Sequence, residues 1–147
     1  MVSKRLEVLA AVKALVQSAL PHVKVIGLDG EDAAPMRVPP TGMVVVRSGD
    51  PGEPEVDLCP PVYHYTHRIP IEVSAYETTA ESGEEIVDRM MGLIGGAVEA
   101  NRTLGGLCDW LEPTGPNTDD IYTEAATPAR GGDFDLVASY STTSPLN

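Results

Sequence analysis

The chain has 147 residues and a net charge of −12, from 22 acidic and 10 basic side chains. That length fits one domain around one core, and a domain of this size buries roughly 68–70% of its unfolded surface, so it needs neither disulfides nor metal to fold. So acidic a surface repels phosphate backbones, which excludes duplex binding through a basic patch but suits a passage through which DNA slides without sticking.

Apolar residues make up 42% of the chain and fall into periodic blocks, so it does not belong with disordered sequences. Cys59 and Cys108 stand in no motif and read as small, reduced, buried thiols. The first residues open straight into a helical pattern without a long apolar run, so no signal peptide is expected, and no run approaches the 18 apolar residues of a membrane span. The expectation is a chain that stays in a cytosol or leaves it only inside a particle.

Val8, Val12, Leu15, Val16 and Ala19 recur at helical spacing and predict a helix over Ser3 to Leu20, capped by Ser3 and stopped by Pro21. Val23 to Leu28 is a short strand, followed by a loop over Asp29 to Gly42. Met43 to Arg47 is a β-branched run and a buried strand. Gly49 to Pro61 carries Asp50-Pro51-Gly52 and Pro60-Pro61 and reads as turn and loop.

Tyr63 to Glu77 is the strongest β signal. Tyr63, Tyr65, Ile69, Ile71, Val73 and Ala75 share one parity, while His64, Thr66, Arg68, Glu72 and Ser74 share the other. Pro70 lies on the wet parity and cannot donate to a ladder, so a bulge or an edge is expected there. A long, half-wet strand of this kind is expected to project past its own domain.

Ser82 to Asn101 is a second helix, opened by the Ser82/Glu85 capping box, with Ile86, Met90, Leu93, Ile94 and Ala97 as its buried stripe. Gly92, Gly95 and Gly96 inside it each cost about 1 kcal/mol against Ala, which predicts another backbone packed closely there. Beyond Asn101 come a tight turn at Gly105-Gly106, a short strand through Trp110 and a turn over Pro113 to Asn117. Two further strands follow, near Asp120 to Ala126 and Asp133 to Ser141, with a turn over Pro128 to Gly132 between them. The fold class is α+β: an antiparallel or mixed sheet of five to six strands covered by two helices, in one domain over residues 1–147.

Catalytic patterns are missing. His64 and His67 stand three apart on a strand, so their imidazoles point to opposite faces and cannot chelate one ion. His67 shares the apolar parity and reads as a satisfied, partly buried histidine. Gly105-Gly106 lacks the Lys-Ser/Thr of a phosphate loop, no Gly-x-Ser-x-Gly elbow occurs, and neither cysteine carries a nucleophile signature. The carboxylate pairs Asp119-Asp120 and Glu84-Glu85 read as solvated charge. A lone Trp110 in a short strand reads as core, with an interface anchor as the competing role. No catalytic residue, metal site or cofactor is assigned.

Three segments carry a family resemblance. They are Tyr63-His64-Tyr65-Thr66-His67-Arg68 at the head of the long strand, Asn101-Arg102-Thr103-Leu104-Gly105-Gly106-Leu107-Cys108-Asp109-Trp110, and Tyr140-Ser141-Thr142-Thr143-Ser144-Pro145-Leu146. With this order of elements, the chain resembles the tail terminator (tail completion) proteins of long-tailed bacteriophages and gene transfer agents over nearly its whole length. The resemblance implies a homohexameric ring at the head-proximal end of the tail tube, located in the virion tail. Such a ring stops tube polymerisation, contacts the major tail tube protein, and presents a surface to the head–tail connector or stopper protein. DNA would pass through its lumen without specific binding, and no membrane is involved.

In such a ring, Arg68 and Glu72 on the wet strand face and the loop arginines Arg37 and Arg130 are the candidate inter-subunit contacts. Their competing role is ordinary solvated charge, because exposed pairs contribute only about 0–1 kcal/mol. Two other functions compete with the terminator. A connector or stopper predicts normal-length tails that fail to join heads when it is lost. A small transferase-type enzyme predicts a pocket of convergent polar groups and turnover by the isolated protein.

Overall fold

The computed structural model describes residues 2–28, 38–121 and 129–147. Helix α1 (Lys4–Ala19) starts where the Leu6 N–H donates to the Ser3 hydroxyl at 3.3 Å, satisfying one of the four orphan donors of a helix start. Its buried stripe is Val8, Leu9, Val12, Leu15 and Val16, and it ends at Leu20, just before Pro21. Strands β1 (Lys24–Ile26) and β2 (Met43–Val46) follow and pair in parallel. Of the expected loop over Asp29 to Gly42, residues 29–37 lie outside the described residues.

Strands β3 (Glu55–Asp57) and β4 (Val62–Ala75) form an antiparallel hairpin. After helix α2 (Gly83–Ala100) come β5 (Trp110–Pro113), β6 (Asn117–Ile121) and β7 (Ala129–Thr142). Seven strands among the described residues, one more than the upper expectation, build one mixed sheet. β4 and β7 are its spine, antiparallel from Tyr63↔Thr142 to Ala75↔Arg130. β2, with β1 outside it, and β3 flank β4; β5 and β6 flank β7. The sequence expectation put a turn over Pro128 to Gly132, but β7 already begins at Ala129. Gly131 and Gly132 pair with both Ser74 and Val73 of β4 and with β6. Tyr122 to Ala126, the rest of an expected strand, lie outside the described residues.

Both helices cover the same face of the sheet. The odd positions of β4 and even positions of β7 point into it: Tyr65, Ile69, Ile71 and Val73 meet Phe134, Leu136, Ala138 and Tyr140 in one core with α1 and α2. Among the described residues no helix covers the opposite face, which is closed only at one end, where Ile26, Met43 and Ala129 are buried with Val38. β4 does not stand out from its domain as a lone strand, since β7 pairs along almost all of it.

Pro70 sits where β2 leaves β4. The Arg47 N–H donates to the Pro70 carbonyl at 3.0 Å, but Pro70 has no N–H to return. The ladder resumes at the Asp50↔Arg68 bridge. Three residues are spent on one strand against two on the other, the one-residue excess of a β-bulge. Gly49 takes the strained position at φ +64°, where any Cβ would stand 1.9 Å from the Arg68 carbonyl oxygen. The bulge or edge expected from Pro70 is present.

In α2 the Ser82 hydroxyl accepts from the Glu85 N–H at 3.2 Å. The buried stripe is Ile86, Val87, Met90, Ile94 and Val98. Two expectations fail here. Leu93 is 49% exposed rather than buried. No backbone packs against Gly92, Gly95 or Gly96; a Cβ on any of them would find nothing within 4 Å.

Candidate functional site

The three sequence segments that stand apart in this chain meet at one end of the sheet. Trp110 pairs with Ser139, which pairs with Thr66, so the head of β4, the start of β5 and the end of β7 lie in one row. Each segment there is tied by its own side chains.

After α2, the Asn101 side-chain oxygen accepts from the Gly105 N–H at 3.0 Å, and Gly105 and Gly106 turn the chain with φ of +69° and +97°. Arg102 then reaches across to β5. Its guanidinium donates to the Leu111 carbonyl at 2.9 Å and the Glu112 carboxylate at 2.7 Å, and lies 4.8 Å from the centre of the Trp110 ring. The indole N–H donates to the same carboxylate at 2.9 Å. Trp110 is 50% exposed and therefore not core. Leu111 takes the buried side of β5, and strand alternation puts Trp110 outside. A fixed, half-exposed Trp beside an Arg is the composition of an interface anchor.

The head of β4 works on both faces. On the covered face His67 is fully buried, with Nε2 2.6 Å from the Ser48 carbonyl and Nδ1 3.0 Å from the Tyr140 hydroxyl. Burial pushes its pKa below the ordinary value, against the opposing Ser48 hydrogen bond. The neutral ring therefore donates from Nε2 to Ser48 and accepts from Tyr140. Burial likewise pushes the Tyr140 phenol up to about 12. Tyr65 stacks on Tyr140 and donates to the Pro145 carbonyl at 2.9 Å, which ties the C-terminal segment to the sheet. On the bare face His64 meets Asp57 of β3 at 2.8 Å. The two histidines thus point to opposite faces, and among the described residues no three His, Cys, Asp or Glu side chains are placed to hold a metal ion.

Arg68 and Glu72 also stand on the bare face, each with a partner in its own chain. Arg68 reaches Asp135 at 3.4 Å, and Arg47 holds Glu72 at 2.8 Å. Glu72 lies directly opposite Asp133, a like-charged pair that Arg47 offsets. Arg130 is in a strand rather than a loop; it lies on the helix side and faces Glu84 of α2 at 3.6 Å. Arg37 and the side chains of Asp119 and Asp120 lie outside the described residues. Cys108 is buried and burial raises its thiol pKa, whereas Cys59 is exposed, contrary to expectation.

The sequence assigned no role to two surface features. Arg102 lay within the segment from Asn101 to Trp110 that carries the resemblance, but nothing there marked its contacts. Leu58, 77% exposed at the tip of the β3–β4 hairpin, sat in a proline-rich run that reads as loop. No described helix is long and apolar enough to cross a membrane. No family model matches this chain, and no curated protein matches it.

Proposed function

We propose that this chain is a structural ring subunit that caps the head-proximal end of a phage or gene transfer agent tail tube. It stops tube polymerisation and offers an attachment surface to the head–tail connector or stopper protein. Its partners are its own copies in a homohexamer, the major tail tube protein below and the connector above, and its place is the virion tail.

The observation that carries this reading is a sheet whose two helices cover one face, while among the described residues most of the other face is left open. Its open face and edges hold exposed groups: Trp110 fixed by Arg102 and Glu112, Val56 and Leu58 on the hairpin, and the Arg68 and Glu72 pairs. Exposed apolar groups fixed by polar neighbours are what an assembly surface needs. The net charge of −12 supports the reading as well, because an acidic lumen repels DNA carrying a charge every ~1.7 Å of axis.

Electron microscopy of particles made without the protein tests it. The expected result is tails of uncontrolled length. Tails of normal length that stay detached from heads would transfer the chain to the connector class. Correctly sized, attached tails would overturn the assignment to the tail machine.

A further inference from the structure

The β3–β4 hairpin ends in an apolar knob. Leu58 and the exposed Cys59, Pro60 and Pro61 form its tip, with Val56 exposed behind them and Glu53, Glu55 and Asp57 alongside. At the other end of the sheet, the last turn of α1 and the start of β1 border an open-sided hollow of about 740 Å³. Ala14, Ser18, Pro21, His22, Val23 and Lys24 are among its lining residues.

Charge matches the two. A chain of net charge −12 repels its copies over most of its surface, so an acidic knob has few places to dock. Arg47, Arg68, Arg89, Arg102 and Arg130 each face a carboxylate of their own chain. Lys4, Arg5 and Lys24 make no ion pair among the described residues, and of these three Lys24 borders the hollow; Glu53 and Glu55 make none either. Lys24 puts a cation at the rim of a hollow whose lining mixes Ala14, Pro21 and Val23 with Gln17, Ser18 and Thr41; Glu55 and Asp57 put carboxylates beside an apolar knob.

The knob cannot fill the hollow of its own chain. Glu55 pairs with His64 of β4, whereas Lys24 lies in the row of Ser74 through Met43. Those rows are ten residues apart on β4 (74 − 64), or ~33 Å of strand. The contact has to run from one copy to the next.

We propose that the hairpin tip around Leu58 of one copy seats in the hollow between α1 and β1 of the next, with Glu55 beside Lys24. The inference rests on the reading that the chain assembles with itself, and names the contact. Being head to tail, the contact is heterologous, and it closes a ring when its rotation permits.

Cys59 makes the test direct, because it is exposed at the tip and the other cysteine, Cys108, is buried. Full-length Ser18→Cys protein is treated with a short bis-maleimide and run on a denaturing gel. Covalent multimers are expected, and they should vanish in the Ser18→Cys/Cys59→Ser double variant. Ala10→Cys, exposed two turns earlier on α1, should give background only. Lys24→Glu should lower the yield roughly fivefold, the scale of one charge pair, and Glu55→Lys added to it should restore the yield. Equal linking from Ala10→Cys, no linking from Ser18→Cys, or indifference to Lys24→Glu would each overturn the contact. Failure here is separate from failure of the tube-cap reading. Rings that sediment without the link refute this contact alone, while attached, normal-length tails in particles lacking the protein refute the cap alone.

Discussion

His67 holds three parts of the chain together through two hydrogen bonds. Its ring bridges the Ser48 carbonyl in the bulge after β2 and the Tyr140 hydroxyl on β7, and Tyr140 stacks on the Tyr65 that secures Pro145. His67→Leu keeps most of the volume but leaves the buried Tyr140 hydroxyl without its partner, at a cost of about 1–3 kcal/mol. The histidine also makes stability depend on pH. Its folded pKa is lowered, so below the ordinary value of 6.5 the unfolded chain takes up a proton that the folded chain refuses. The stability from its neutral form is whole above about pH 6.5 and declines as the pH falls toward the folded value. Urea melts of wild type and His67→Leu should therefore differ most near pH 8 and converge near pH 5.5. A gap that is constant or that widens in acid would refute this.

Helix α2 turns its glycines to water. At about 100° per residue, the stripe from Ile86 to Val98 centres roughly opposite Gly92 and Gly96, while Gly95 falls about 110° and Leu93 about 90° from that centre. Since a Cβ at Gly96 meets nothing within 4 Å, Gly96→Ala should stabilise the isolated chain by about 1 kcal/mol through helix propensity. A raised urea midpoint at unchanged slope is the expected reading; a lowered one would reveal a contact on this face. The mistaken stripe shows what limits a sequence reading. Periodicity identified both helices, their serine caps and the two-faced β4, because these follow from spacings of 3.6 and 2 within one segment. It assigned Leu93 to the core because leucine is apolar, although the depth of the stripe is set by where β4 and β7 lie. β3 was hidden for a similar reason. Glu55-Val56-Asp57 has no strand signature, and it is a strand because β4 runs past the end of β2 and offers it an edge. At the candidate site, the segment from Asn101 to Trp110 was visible as a distinct block, but not its use. The Arg102 grip on Leu111, Glu112 and Trp110 links residues brought together only when β5 joins β7.

For the molecule as a whole, the proposed self-assembly has to overcome the chain's own charge. Copies at −12 repel through a field that extends about 30 Å at 0.01 M salt and about 8 Å at 0.15 M. In the proposed contact the knob and hollow attract only at short range, where Leu58 and the walls around it would partly shield the charge pair from the solution. Raising the salt from about 0.01 M to 0.15 M therefore weakens the long-range repulsion more than the local attraction. Near 1 M the field shrinks to about 3 Å and the charge pair is screened too, leaving apolar burial alone. Sedimentation at fixed protein concentration should show the mean mass rising over the first interval and levelling or falling over the second. Lys24→Glu adds repulsion and removes the local attraction, so its curve should start lower and rise throughout, because it has no attraction left to screen. A wild-type mass that falls steadily from the lowest salt would mean that opposite charges dominate the association. The bare, mixed-charge face carrying Arg68, Glu72, Asp133 and Asp135 would then be the surface that joins the copies, and not the hairpin tip.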